Sequence, residues 1–197
     1  FYQGAPTEPY YIHTIENNTV NGESILYYKN NNAGGVIDES TNAGQIILAN
    51  CSNFIIRNLT LNNSILFPVH LVFSDNNNIS NCSISSNISS GYGIYLLYTN
   101  YSNISSSNIS FNSEGIRLSY SNNNNITGSN QIYNNSNGIM LSYSDYTNIT
   151  SNQIYNSSSA AIYSSSSNES NISLNNVYSN DEGIKFESSE NNTIYDN

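Results

Sequence analysis

The stretch "YSNISSSNISFNSEGIRLSYSN" (residues 101–122) contains one complete unit of a repeat that runs through most of this chain. Ile104, Ile109 and Ile116 are its apolar anchors, and serine, asparagine and glycine fill the intervals between them. β-Branched residues at short intervals, separated by turn-forming residues, favour strands over helices. The stretch therefore predicts three short strands joined by polar turns.

The same three anchors recur from residue 46 onwards. Copies of one anchor are 22 to 25 residues apart, and a second anchor follows it by ten residues in all seven copies. The first anchor is Ile46, Val69, Ile94, Ile116, Ile139, Ile162 and Ile184; the second is Ile56, Ile79, Ile104, Ile126, Ile149, Ile172 and Ile194; the third is Leu61, Ile84, Ile109, Ile132, Ile154 and Val177. This regularity predicts an all-β fold, a right-handed parallel β-helix of about seven coils of 22–25 residues.

Composition narrows the classes of partner. Asparagine and serine supply 40 and 36 of the 197 residues, and 14 carboxylates against four Lys and Arg give a formal charge of −10. A chain this acidic is repelled by nucleic acid and by anionic membrane surfaces. No stretch approaches 18 consecutive apolar residues, so the sequence predicts neither a nucleic-acid partner nor a membrane span.

The first 45 residues do not follow the repeat. In "TVNGESILYYKN" the pair Asn21-Gly22 stands between two β-rich runs, which is a strong signal for a type I′ hairpin. We therefore expect residues 1–45 to form an N-terminal hairpin and capping segment, and residues 46–197 to form one continuous repeat domain. Because the sequence stops at "NNTIYDN" without a visible cap, we expect it to belong to a longer chain or a polymer.

Two polar columns follow from the repeat. Three residues after the third anchor come Asn87, Asn112, Asn135 and Asn180, with Ser64 and Ser157 at the equivalent positions. Stacked Asn side chains can hydrogen-bond from coil to coil, so we interpret this column as a structural ladder, with ligand binding as the alternative. The turn column Asp75, Asn100, Asn122, Asp145, Asn168 and Glu190 offers oxygen ligands. Asp75, Asp145 and Glu190 are only weak calcium candidates because dense Asp repeats are lacking, so we predict no metal and no cofactor.

Aromatic residues also fall in columns. Phe73, Tyr98, Tyr120 and Tyr143 lie four residues after the first anchor, and strand parity predicts that they point into the core. Tyr133, Tyr155 and Tyr178 follow the third anchor by one residue and should face outwards. These three tyrosines are candidates for contact with carbohydrate or with another subunit, and plain surface exposure is the alternative.

The chain carries 17 Asn-X-Ser/Thr sequons, many of which any Asn/Ser-rich chain would contain. Glycans on the strand column Asn78, Asn103, Asn125, Asn148 and Asn171 would collide at a spacing of about 4.8 Å. Asn17 and Asn191 are therefore the better glycosylation candidates. Cys51 and Cys82 belong to different columns, so we expect two partly buried thiols and no disulfide.

The phrases "NTVNGESILYYKN", "GQIILANCSN" and the repeated "NNIS…N…GIxL" resemble the NosD-like parallel β-helix repeat proteins of archaeal cell surfaces. The resemblance covers Ile12 to Asn197. It implies an exported protein at the cell surface, often one module of a longer polypeptide, in a superfamily that includes carbohydrate-binding and sugar-cleaving proteins. The copper association of the family name is not carried over, because His13, His70 and Met140 lie on different coils and copper sites need clustered His, Met or Cys.

These observations favour a structural cell-surface protein, a self-associating building block of an extracellular filament, sheath or envelope layer, joined head to tail or laterally. The alternatives are a carbohydrate-binding module that uses the outward tyrosines and, third, a polysaccharide lyase or hydrolase. Enzymes on this fold use carboxylates on neighbouring coils. Glu114, Arg117, Asp145, Asp181 and Glu182 do not form a recurring pair in one column, so we predict that the chain is not an enzyme.

Overall fold

The computed structural model describes residues 8–197. Its 23 strands form three sheets of nine, eight and six strands, here named A, B and C, and no α-helix occurs in the described range. Each complete coil supplies one strand to sheet A, then one to B, then one to C. The predicted parallel β-helix of about seven coils is confirmed.

The strands of sheet A are β1 (Thr19–Val20), β2 (Glu23–Asn31), β4 (Ala43–Cys51), β7 (Val69–Val72), β10 (Tyr92–Leu97), β13 (Glu114–Ser119), β16 (Asn137–Ser142), β19 (Ala160–Ser165) and β22 (Glu182–Glu187). Those of sheet B are β3 (Gly35–Ile37), β5 (Phe54–Arg57), β8 (Asn78–Ser80), β11 (Asn103–Ser105), β14 (Asn125–Thr127), β17 (Asn148–Thr150), β20 (Asn171–Ser173) and β23 (Thr193–Tyr195). Those of sheet C are β6 (Thr60–Leu61), β9 (Ser83–Ile84), β12 (Asn108–Ser110), β15 (Gln131–Tyr133), β18 (Gln153–Tyr155) and β21 (Asn176–Tyr178). Two short 3-10 helices span Glu8–Tyr11 and Glu39–Thr41.

The anchors form the core. Parallel pairing places Ile94, Ile116 and Ile139 opposite one another in sheet A, and the same holds for the anchors of sheets B and C. From Ile46 to Ile172 the anchors are completely or almost completely buried and belong to one continuous hydrophobic cluster. In the last coil Val177 and Ile184 are partly buried and Ile194 is exposed. Burying such a side chain contributes about 1.5–3 kcal/mol, which drives the stacking of coils that could not fold singly.

Asparagine makes the corners between the sheets. Among the described residues, 30 non-glycine residues have a positive φ, and 14 of these are asparagines. Asparagine tolerates the left-handed backbone region better than other side chains do, so it turns the chain sharply at little cost. The corners therefore account for part of the high asparagine content.

The N-terminal hairpin forms as predicted. Asn21 and Gly22 have φ values of 51° and 87°, which fits a type I′ turn, and β1 pairs antiparallel with β2. However, β2 also pairs in parallel with β4, and β3 pairs in parallel with β5. The ladder of coils therefore begins at residue 23, within the segment 1–45 that we expected to be only a cap.

The segment before the hairpin lies across the outer face of sheet A. Tyr11 and Ile12 pack over the buried side chains of Ala49, Val72 and Leu97. The hydroxyl of Tyr27 holds this segment by donating a hydrogen bond to the Tyr11 carbonyl at 2.7 Å. This side of the solenoid is thus covered near its first coils. No helix in the described part of the chain has the length and apolar character that a membrane crossing requires.

Candidate functional site

Polar side chains line four inward columns at the corners. In the first column the backbone N–H of Ser74 donates to Thr99 Oγ1 at 3.1 Å, and the N–H of Thr99 donates to Ser121 Oγ at 3.0 Å. The columns comprise Cys51, Ser74, Thr99, Ser121, Ser144, Ser167 and Ser189; Phe54, Asn77, Ser102, Asn124, Thr147, Ser170 and Asn192; Cys82, Ser107, Asn130, Asn152, Asn175 and Asn197; and Ser86, Asn112, Asn135, Ser157 and Asn180. They satisfy backbone groups that the three sheets leave unpaired.

The fourth column contains most of the predicted asparagine ladder. Asn112 and Asn135 are buried, and the Asn180 amide donates to the Ile154 carbonyl at 3.0 Å. Asn87 does not belong to this column. In coil 69–93 the inward residue comes two positions after the third anchor, as Asn63 does after Leu61, so Ser86 takes the inward place and donates its N–H to Asn112 Oδ1. Asn87 has a φ of 53° and lies exposed at the surface.

Both cysteines are buried free thiols. The N–H of Cys51 donates to Ser74 Oγ, and that of Cys82 donates to Ser107 Oγ, so the two residues occupy different corners. Burial raises the pKa of both thiols. They act as small column members whose reactivity burial suppresses.

The calcium candidates form a ladder of their own. The N–H of Asn100 donates to Asp75 Oδ1 at 2.6 Å, that of Asn168 donates to Asp145 Oδ1 at 2.7 Å, and that of Glu190 donates to Asn168 Oδ1 at 2.7 Å. Each side-chain oxygen of this ladder thus accepts a backbone N–H of the following coil. In the inward columns the accepting oxygens bind backbone N–H groups of the preceding coil. In residues 8–197 no group of three or more His, Cys, Asp or Glu is placed to hold a metal ion.

The aromatic column that we expected in the core lies on the surface, so that prediction is wrong. Tyr120 and Tyr143 are 38% and 44% exposed. Both residues have a left-handed backbone, with φ of 52° and 51°, and this breaks the alternation of side chains that the parity argument assumed. With Phe73 and Tyr98 they form a ladder of parallel rings whose centroids are 4.9–5.0 Å apart.

Tyr133, Tyr155 and Tyr178 form a second ladder on sheet C. Neighbouring rings are stacked at 5.1 and 5.0 Å with interplanar angles of 5°. Both faces of the Tyr155 ring are therefore covered by other rings, and only its edge and hydroxyl are directed outwards. This arrangement does not leave Tyr155 a free face on which a sugar could stack.

The densest group of charged and aromatic side chains lies on the outer face of sheet A. Arg117 donates to both carboxylate oxygens of Glu114 at 2.9 and 2.8 Å, donates to Ser119 and lies 5.2 Å from the centre of the Tyr92 ring. Because these contacts occupy the guanidinium group and neutralise the carboxylate, the pair has little capacity left for a substrate. Asp145, Asp181 and Glu182 lie on other coils.

His70 is enclosed in the same region by aromatic rings. Its ring stacks on Tyr95 at 5.0 Å and lies 5.2 Å from Phe67. Burial lowers the pKa of His70 to about 4, and its Nε2 is buried without a hydrogen-bond partner. The imidazole is therefore neutral near pH 7.

A shallow cleft of about 290 Å³ lies at the corner between sheets B and C. It is lined by Asn58, Leu59, Thr60, Asn81, Cys82, Ser83, Ser106 and Asn108. The lining presents hydroxyl and amide groups without a charged side chain, so this cleft offers hydrogen bonds to a ligand and no ion pair.

Sequence reasoning missed three of the four inward columns. Their signal is a fixed offset: Ser, Thr or Cys stands five residues after the first anchor in all seven copies, as in Ser121 after Ile116. High serine content hides this regularity. The predicted glycosylation candidates Asn17, in the segment before the N-terminal hairpin, and Asn191, at a corner before β23, are both exposed and have positive φ.

A family model described as "Periplasmic copper-binding protein (NosD)" matches residues 13–197. A search of curated proteins gives no significant match. The crystal structure of the Dettilon tailspike protein is similar, with a TM-score of 0.59 and 15% identity over 82% of this chain. This likeness shows the fold alone, and the aligned part is 39% of the tailspike chain. The match to the family model extends over nearly the whole sequence, and the chain belongs to the NosD family.

Proposed function

We propose that this chain is a structural β-helix module of an exported protein, at the cell surface or in the envelope, and that it self-associates into a filament, sheath or layer. The main support is the set of inward columns. At most of their positions a side-chain oxygen accepts a backbone N–H of the preceding coil, in addition to the pairing of three sheets. The fourth column is interrupted at Ser157, whose hydroxyl has no hydrogen-bond partner. A solenoid cross-linked in this way is a stiff rod, which suits mechanical and spacing roles.

The family description supports an exported location, because it names a periplasmic protein. Copper binding receives no such support from this chain. His70 is enclosed by aromatic rings. Met140 lies three coils beyond His70 in sheet A, where its neighbours on the adjacent coils are Arg117 and Tyr163. The soft and imidazole ligands that copper prefers are therefore dispersed over the described residues.

Electron microscopy of the native surface material tests the proposal. Ordered filaments or layers that an antibody against this chain labels along their length would support it. Labelling confined to separate particles would contradict it.

Carbohydrate binding is the second candidate, favoured by the neutral polar cleft between sheets B and C. Asn81 and Asn108 line it and offer amide groups that can donate to and accept from sugar hydroxyls. Glycan-array binding that Asn108→Ala weakens and Tyr155→Ala leaves unchanged would support this site. A polysaccharide-cleaving activity, the third candidate, would require turnover on a defined polymer.

A further inference from the structure

The six strands of sheet C carry no charged side chain, although the chain as a whole is strongly acidic. Charged residues flank its corners at Arg57, Glu114 and Asp181. No Asp, Glu, Lys or Arg occurs in residues 58–66, 81–91, 106–113, 129–138, 151–160 or 174–180, which contain the six strands of this sheet. Elsewhere, the outer face of sheet A carries Glu114, Lys185 and Glu187, and the corner between sheets A and B carries Asp75 and Asp145. Two copies with a formal charge of −10 therefore meet less repulsion through sheet C than through sheet A or through the corner between sheets A and B.

The outer face of sheet C presents two regular rows. Gln131, Gln153 and Asn176 are aligned in the first row, and Tyr133, Tyr155 and Tyr178 are aligned in the second. We call these six residues the Gln–Tyr face. The first row is exposed and supplies amide donors and acceptors. The second row supplies phenol hydroxyls at intervals of about 5 Å, set by the ring spacings of 5.1 and 5.0 Å.

The spacing of these rows restricts the partner. A surface that makes the same contact on successive coils must itself repeat at about 4.8 Å, the separation of neighbouring strands. A second copy of this chain has that repeat. With a two-fold axis parallel to the solenoid axis, the amide row of each copy lies opposite the tyrosine row of the other, and phenol hydroxyls can donate to amide oxygens.

From the charge distribution and this matching repeat we infer that the Gln–Tyr face is a lateral contact between two parallel copies of this chain. The inference rests on the proposed self-association and names the surface that carries it. The three strands that carry the Gln–Tyr face lie about 4.8 Å apart and are about 20 Å wide with their corners, which gives an area of about 300 Å² per copy. Stable pairs bury about 800 Å² per partner, so the pair is weak in solution and gains strength where many copies are held side by side.

Sedimentation velocity at increasing protein concentration tests the inference. The double substitution Gln131→Glu and Gln153→Glu places new charges on the face and is expected to raise the concentration for half association at least tenfold. The matched control, Asn125→Asp with Thr150→Glu, adds the same charge to sheet B and is expected to leave association unchanged. Far-UV circular dichroism confirms that both variants remain folded.

A cross-linking experiment detects the weak pair directly. Gln153→Cys treated with a short bis-maleimide is expected to give a covalent dimer, whereas Asn125→Cys on sheet B is expected to stay monomeric.

The two experiments together separate the inference from the proposed function. If the wild type associates and both the double Glu variant and Gln153→Cys behave like their controls, another face is used; the inference then fails and the proposed function stands. If the wild type stays monomeric at millimolar concentration and the native material shows no polymer, both fail. Binding of a neutral polysaccharide lost only in the sheet C variant, without self-association, also overturns the inference.

Discussion

Asn112 and Asn135, on successive coils, are joined by two hydrogen bonds that share one acceptor. The backbone N–H of Asn112 donates to Asn135 Oδ1 at 3.0 Å, and its side-chain amide donates to the same oxygen at 2.9 Å. The Asn135 amide in turn donates to the Ile109 carbonyl at 3.1 Å. A single buried side chain therefore satisfies three groups of the preceding coil.

Asn135→Ala should lower the free energy of unfolding by about 2–4 kcal/mol, because it leaves buried donors and a carbonyl without partners. Urea unfolding at pH 7 measures the change. Asn125→Ala is the control, since Asn125 is exposed on sheet B and should change stability by less than about 0.5 kcal/mol. Equal effects of the two substitutions would show that the column does not stabilise the fold.

Ser157→Asn should stabilise the protein. The Ser157 hydroxyl is buried without a hydrogen-bond partner, at a place where the neighbouring coils carry Asn135 and Asn180. An amide at this position can accept from the Asn135 N–H and donate to the Ile132 carbonyl, and a net hydrogen bond contributes about 1 kcal/mol. The transition in urea should move to higher concentration. A lower midpoint would mean that the corner lacks room for the amide.

Gly138→Ala should destabilise the fold while Gly183→Ala should not. A Cβ at Gly138 would lie 2.5 Å from the Ala161 carbonyl oxygen and 2.7 Å from Ile154 Cγ2, whereas one at Gly183 would meet nothing within 4 Å. Overpacking of this kind costs about 1–3 kcal/mol. Thermal unfolding of both variants checks the expectation, and a larger loss at Gly183 would contradict the stacking order of the coils.

Acid should lower the free energy of unfolding, because His70 takes up a proton more readily in the unfolded chain. Its pKa is about 4 in the folded protein and 6.5 when unperturbed, so the unfolded chain binds a proton between these pH values that the folded chain does not. The free energy of unfolding therefore falls as the pH falls through this window, by about 2 kcal/mol at pH 4.5. Urea titrations at pH 7.0 and 4.5 measure the loss.

The control for that measurement is His70→Phe, which keeps an aromatic ring against Phe67 and Tyr95 and removes the titrating group. The difference between the two pH values should shrink by about the same 2 kcal/mol in this variant. An unchanged difference would assign the acid sensitivity to the carboxylates instead.

Sequons on the corners should be glycosylated in preference to those on sheet B. The Asn148 amide donates to Asn125 Oδ1 at 3.5 Å, and its oxygen accepts from Asn171 at 2.9 Å, so a glycan there would disturb an amide ladder. Asn17, before the N-terminal hairpin, and Asn191, at a corner, are exposed and outside this ladder. Glycopeptide mass spectrometry after secretion from a host that glycosylates Asn should find sugar on Asn17 and Asn191. Higher occupancy at Asn148 would contradict the expectation.

The anchors made the fold predictable, because Ile116, Ile126 and Ile132 lie at fixed intervals and β-branched residues that repeat in this way can only be buried by stacking. Alternation along a strand predicted the side-chain directions inside the strands, but the prediction failed at the strand ends. Tyr120 points outwards because its left-handed backbone interrupts the alternation, and nothing in its sequence position announces that φ. Asn87 was misplaced because the inward residue of this corner lies two positions after the third anchor in some coils, as in Asn63 and Ser86, and three in others, as in Asn112, and the sequence spacing does not show which.

The candidate site was less predictable than the fold. The outward position of Tyr155 follows from parity, but the mutual covering of its ring faces depends on the close stacking of three coils. Likewise, Asp75 and Asp145 looked available for calcium, and the structure shows that backbone N–H groups of the next coil use one of their oxygens.

Coil 69–93 is two residues longer than its neighbours, yet β7, β10 and β13 stay in register. The extra residues lie in the loop between Asn87 and Gly91. Ser89 and Ser90 lie exposed at this point. A loop at this corner can therefore lengthen while the strands of the three sheets keep their pairing. This corner is the natural place to insert an epitope or a fluorescent label, which would then be displayed on the side of the rod.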